Sequence, residues 1–231
     1  MPREHGAWGM LLVPFATALG VAGVFDLKTV LLLASTLCFY ISRASWLKRQ
    51  WLWTALLLAG SLGAAAPLFI VWKLWWLAGF SAVAAGLAVQ PTRRHFAMQL
   101  TATAGLTLTA PAAWYTATGV LDAMAFWLWL WNALYFIGGL LYVRMRIAPV
   151  AERPALCKPV LGFYGGLMLF VLALATVDVI SFSVSLVFVP AMARVLIGVS
   201  RLTSPLRIKR LGWSEVAYSV LFGVLLVVAL R

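Results

Sequence analysis

The chain reads as apolar runs of about 17 to 23 residues, cut by short clusters of charge, Gly and Pro. A helix rising 1.5 Å per residue needs roughly 20 such residues to cross a bilayer. The even apolar–polar alternation of a barrel strand is absent from the runs. The breaks predict nine helical spans, at 7–25, 28–45, 51–71, 74–90, 95–117, 121–143, 160–177, 180–199 and 213–230. The weakest division is the seventh from the eighth, where only Val177 and Asp178 intervene. No linker or soluble segment separates the runs, so 1–231 is expected to be one transmembrane domain. The fold class is all-α, a polytopic helix bundle.

Composition agrees. Of 231 residues, 64% are hydrophobic and only 10% charged, against about a quarter charged in a soluble domain. One aqueous core could not bury so much apolar surface, so lipid must be the solvent. The 12 Trp and 13 Phe suit interfacial belts. The apolar run after Met1–His5 continues past "ATA" (16–18) to Phe25, which predicts a retained first helix rather than a cleaved signal.

The net charge of +12 would suggest nucleic acid in a soluble protein. Here the cations sit between the runs, which points to topology and anionic headgroups and away from nucleic acid. One set of loops and helix ends holds fifteen Lys and Arg: Arg3; Arg43, Lys48 and Arg49; Arg93 and Arg94; Arg144, Arg146, Arg153 and Lys158; Arg194, Arg201, Arg207, Lys209 and Arg210. The other holds three, Lys28, Lys73 and Arg231. Positive loops stay inside, so the N-terminus is expected in the cytoplasm and the C-terminus outside. The longer inward loops carry the residues able to do chemistry. No internal repeat supports an inverted-repeat transporter.

Polar residues within spans come next. Gln99, Thr103 and Thr107 share a helical face, as packing glue or a cavity lining. Asn132, in the middle of the sixth span, is costly without a partner; packing and ligand contact stand level there. Gly60, Gly63, Gly79, Gly86 and the pairs at 138–139 and 165–166 would let helices approach closely. Pro14, Pro67, Pro111 and Pro190 would kink their helices. The carboxylates are all read near span ends: Asp122 and Asp178 as helix caps, Glu215 close to the start of the last helix. Arg194 lies more than a turn inside its span, where it must snorkel or find a partner. Cys38 and Cys157 form no CxxC or Cys/His cluster, which argues against disulfide, zinc and Fe–S sites.

"PREHGAWGMLLVPF" (2–15) resembles the start of the YwiC-like family of small bacterial membrane proteins, and "RLGWSE" (210–215) also fits it. That resemblance implies a bacterial cytoplasmic membrane but brings no established activity. At the level of fold, nine helices with long inward loops after the second and sixth are similar to UbiA-type intramembrane prenyltransferases. Those carry Asp-rich motifs at these two places, holding Mg²⁺ and a prenyl diphosphate. Here "FYISRASWLKR" (39–49) and "YFIGGLLYVRMRI" (135–147) contain no Asp or Glu. Magnesium needs hard oxygen ligands, so standard metal-assisted prenyl transfer is not expected, and catalysis stays open. A guanidinium binds phosphate without metal. The resemblance therefore implies an apolar-tail cavity with Arg43 and Arg144 at an anionic head, against a plain reading as positive-inside charges.

Glu4 and His5 at the start of helix one, with His95 at the start of the fifth span, complete the candidate set. Capping, a headgroup site and, least of all, metal are the readings weighed for them. The headgroup or substrate candidates are thus Glu4, His5, Arg43, His95, Asn132, Arg144, Arg146 and Arg194; no metal site and no cofactor is expected. The leading expectation is a lipid- or isoprenoid-handling protein whose partners are membrane lipids. A small-solute transporter and a non-catalytic subunit of a membrane complex are the alternatives.

Overall fold

The structure, a computed structural model, describes residues 5–89, 96–203 and 208–231, with the backbone alone at 5–7 and 87–89. Every described element is an α-helix: α1 (His5–Ala22), α2 (Leu27–Leu47), α3 (Trp51–Ile70), α4 (Trp76–Val89), α5 (Phe96–Leu106), α6 (Thr109–Thr118), α7 (Ala123–Ile147), α8 (Arg153–Thr176), α9 (Ser183–Val187), α10 (Val189–Ser200) and α11 (Ile208–Leu230). Taking α5–α6 and α9–α10 each as one interrupted segment, the described residues form nine helical segments that follow the nine predicted runs, with α8 and α11 starting earlier than their runs, at Arg153 and Ile208. Six stretches are long and apolar enough to cross a membrane, α9–α10 counted together; α1 and α4 supply shorter apolar helices.

Both interruptions lie just ahead of a proline. Pro111 has no N–H, and the chain around it tightens to three-residue bonds, Leu108 N–H to Gly105 (3.2 Å) and Ala110 N–H to Thr107 (3.0 Å). The Ala104 carbonyl accepts instead from Trp129 Nε1 on α7 (3.1 Å) and from the Thr107 hydroxyl (2.9 Å). Before Pro190, the Phe188 N–H reaches back only to Ser185, at 3.4 Å. Pro14 and Pro67 are carried inside continuous helices.

The turns confirm two of the expected breaks in different ways. Asp122 caps α7, accepting from the Ala125 N–H (3.2 Å) and from Trp114 Nε1 (2.9 Å). Asp178 caps nothing: it occupies the turn after α8 at φ +56°, and α9 begins at Ser183 behind an uncapped Phe182. The division at Val177–Asp178 is therefore a left-handed turn rather than a cap. Asp26 forms a full capping box with Thr29 at the start of α2.

Two cores result. One joins α1, α2, α6 and the first turns of α7 around Phe15, Leu32, Ala113 and Leu128. The other joins α7, α8, α9–α10 and α11 around Trp131, Tyr164, Phe188 and Phe222. The helix α7 runs through both. Asn132 is fully buried and ties α7 to α1, donating to the Thr17 hydroxyl (3.1 Å) and to the Leu128 carbonyl (2.8 Å). The glycines divide. Gly138 and Gly139 face neighbouring side chains and Gly60 faces Cys38, but Gly63, Gly79, Gly86, Gly165 and Gly166 have open space where a Cβ would stand. Close approach explains the first group only.

Candidate functional site

Arg194 is six residues from the end of α10, roughly 9 Å into the bundle at 1.5 Å per residue. A charge there needs a partner, and it has one. Arg194 Nη1 lies 2.6 Å from Glu215 Oε2 on α11. Its Nη2 donates to the Tyr164 hydroxyl of α8 at 3.3 Å. The guanidinium carbon stands over the rings of Tyr142 on α7 (4.7 Å) and Tyr218 on α11 (5.2 Å), both within cation–π range. Arg194 is 4% exposed. Three helices thus close on a cation carried by a fourth.

Glycine makes the closure sterically feasible. A Cβ on Gly198 would fall 2.5 Å from Tyr142 Cε2, and one on Gly138 would fall 2.8 Å from the Tyr164 hydroxyl. Both tyrosines reach the guanidinium over a bare backbone. Tyr135, one turn before Gly138–Gly139, stacks on Phe222 with ring centroids 3.9 Å apart and completes the wall.

The cluster is not saturated. Among the described residues, Arg194 Nε, Glu215 Oε1 and the Tyr135 hydroxyl are buried without a hydrogen-bond partner. Three polar atoms with hydrogen-bonding capacity to spare thus gather around one ion pair inside the spans, where ionisable residues commonly serve function.

The sequence reading found Arg194 but not its partners. It placed Glu215 near the start of a span at 213, whereas α11 begins at Ile208 and carries Glu215 two turns inward. Nothing in the spacing of lone tyrosines on separate helices signals that they converge. The "RLGWSE" segment was the available sign, since it holds the carboxylate.

The other candidates scatter. Arg146 is buried, and its Nη1 donates to the carbonyls of Gly198 (3.2 Å) and Arg201 (2.8 Å) at the end of α10. Arg153 donates to Ala148 (3.0 Å) and to the Leu202 carbonyl. These two cations satisfy the carbonyl end of α10, a favourable place for positive charge. Arg144 is exposed and stands over Phe96 at 4.7 Å. Arg43 is half-buried near the end of α2. Asn132 belongs to the α1–α7 contact. Glu4 and His95 lie outside the described residues, and His5 opens α1. Among the described residues, no three His, Cys, Asp or Glu come together as a metal set.

A groove of about 430 Å³ lies on the other side of the cluster's wall. Leu130 and Leu134 of α7 and Gly162, Phe163, Gly166 and Phe170 of α8 line it. Each wall alternates duty: Leu134 and Phe163 face the groove, while their chain neighbours Tyr135 and Tyr164 face the ion pair. Gly138 sits at the seam, with Phe163 and Tyr164 both within 3 Å of where its Cβ would stand. The groove is midway along two spans, so it opens sideways.

These features define a multi-pass helical integral membrane protein with an ionised pair inside the bundle. Residues 1–114 match the family model described as YwiC-like protein. That match bears out the resemblance read at residues 2–15, and the chain is YwiC-like over its first 114 residues. The Arg194–Glu215 cluster lies beyond them. No curated protein and no solved structure matches the chain.

Proposed function

We propose that this YwiC-like membrane protein binds a membrane amphiphile, its apolar chain along the α7–α8 groove and its anionic head toward the basic ends of α2 and α7. The sideways groove is the observation that carries the reading. It is a shallow, open groove with apolar walls, a shape suited to an acyl or isoprenoid chain lying along the bundle surface. Arg43 and Arg144 are the head-binding candidates, with Glu4, His5 and His95 expected at the same membrane face from the charge map. An isoprenoid fits the UbiA-like resemblance, although the absence of Asp and Glu from 39–49 and 135–147 removes the usual Mg²⁺ ligands. The YwiC-like resemblance supports a place in the bacterial cytoplasmic membrane.

A second reading has its own support. A buried charge pair inside spans marks substrate and ion pathways, which favours a small-solute transporter. A subunit role in a larger complex would show as a co-purifying protein.

Lipid mass spectrometry on the gently purified protein separates these. Gly166→Leu adds a side chain into open groove space without a steric conflict. One lipid species enriched in the wild type, and reduced several-fold by Gly166→Leu and by Arg144→Ala, is the expected result. Bulk lipid unchanged by either variant would remove the groove reading and put the transporter first.

A further inference from the structure

We propose that Glu215 is a proton-binding site inside the membrane bundle, and that its protonation releases Arg194. The inference stands on the geometry of the pair and does not depend on the lipid reading.

Glu215 spends one oxygen, Oε2, on Arg194 at 2.6 Å. The other, Oε1, is buried with no hydrogen-bond partner among the described residues. An oxygen of a carboxylate set among tyrosines inside the bundle can accept a proton without displacing any neighbour. The titratable groups that interact with Glu215 are Tyr135 and Tyr142 from α7, Tyr164 from α8 and Arg194 from α10, with Tyr218 of α11 beside Arg194; the described side chains of α1, which also packs on α11, include no titratable group. Arg194 is the sole cation among these, and the tyrosines are neutral near pH 7. Glu215 is the one carboxyl in this set, and a proton on it leaves Arg194 without its counter-charge.

A proton on Oε1 cancels the negative charge that holds Arg194. The guanidinium keeps Tyr164 and the two rings, but its Nη1 donors lose their ionic acceptor. The cluster then has a second arrangement, with a free cation between Tyr142 and Tyr218.

A hydrophobic carbodiimide tests this in the full-length protein reconstituted in lipid. The reagent takes only a protonated carboxyl: the acid proton moves to a carbodiimide nitrogen, the carboxylate oxygen bonds to the central carbon, and an acyl shift leaves a stable N-acylurea. Peptide mass spectrometry of α11 reads it at Glu215. Labelling should rise several-fold from about pH 8 to about pH 5.5 and vanish in Glu215→Gln. Arg194→Met removes the cation that keeps the carboxyl ionised, so labelling at about pH 8 should rise to the wild type's low-pH level. Wild-type Glu215 that stays unlabelled, or labels equally at every pH, overturns the proposal, and this profile decides alone if Arg194→Met does not fold. So does an Arg194→Met protein labelled no more than wild type at about pH 8.

Discussion

Gly198 carries more than its size suggests. A methyl group there would stand 2.5 Å from the Tyr142 ring, which also lies under the Arg194 guanidinium. Gly198→Ala must therefore push Tyr142 off the cation or move α10. Overpacking of this kind costs typically 1–3 kcal/mol, so the detergent-solubilised protein should melt several degrees lower. Gly162→Ala, with open space at its Cβ, should melt within a degree or so of wild type. Equal loss in both would mean that Tyr142 has room to yield. The ion pair makes a complementary case. Removing one partner of a buried pair costs about 3–5 kcal/mol, whereas replacing both with apolar groups is often nearly neutral. Arg194→Met and Glu215→Leu should each destabilise strongly, and the double variant should recover most of the loss in thermal unfolding. Additive losses would show that each side chain is held by its other neighbours instead. Of this site, Arg194 was legible because a cation inside an apolar run is conspicuous in one dimension. Its acceptor was not, because Lys209, Arg210 and Trp213 read as an interfacial border and hid the first turn of α11, which begins at Ile208.

Helix boundaries were legible wherever a turn residue has a local mechanism. Asp26 is the best instance. Its carboxylate accepts from the Thr29 N–H at 3.1 Å, and Thr29 Oγ1 takes the Asp26 N–H in return. Lys28 Nζ is 3.2 Å away. Partial burial works to raise the carboxyl's pKa, but the Thr29 amide and the Lys28 charge together hold it below its ordinary value. Asp26→Ala should cost about 1 kcal/mol through the lost cap. The sign of the pH effect follows from the lowered folded value. Stabilisation by ionised Asp26 is complete above the unfolded value of about 3.9 and is lost as pH falls through the folded one. Thermal melts of wild type and Asp26→Ala should thus differ by a constant amount at neutral pH and converge in acid below about pH 4. A gap unchanged in strong acid would assign the effect to the neutral hydrogen bonds of the box. Proline positions told only half of their story. Pro111 and Pro190 interrupt their spans while Pro14 and Pro67 do not, and the difference lies in neighbours. At Pro111 the Ala104 carbonyl finds Trp129 on α7, a partner no local pattern announces.

At the scale of the molecule, nine passes and a lopsided charge map imply a single orientation. Moving a Lys or Arg across the apolar layer is expensive, and fifteen cations along one set of helix ends against three along the other bias insertion strongly. Some of the fifteen also have structural work: Arg146 and Arg153 bond the carbonyl end of α10, and Arg194 pairs with Glu215. Removing these three from the map leaves twelve against three, so the bias does not depend on them. The α6–α7 turn should therefore face outward and the α7–α8 turn inward. Val120 and Glu152 are exposed residues of those two turns, separated by the one span α7. With Cys38 and Cys157 replaced by Ala, single cysteines at the two positions give an unambiguous reading. A membrane-impermeant maleimide added to intact cells should label Val120→Cys and spare Glu152→Cys, and both should label once the membrane is opened. The reverse pattern would invert the molecule and move the basic end, with Arg43 and Arg144, to the outer face. A headgroup site there would draw on the outer leaflet, and Glu215 would exchange protons with the exterior. Orientation thus decides which compartment the cluster senses, and it is the fact on which the meaning of every other residue in the site depends.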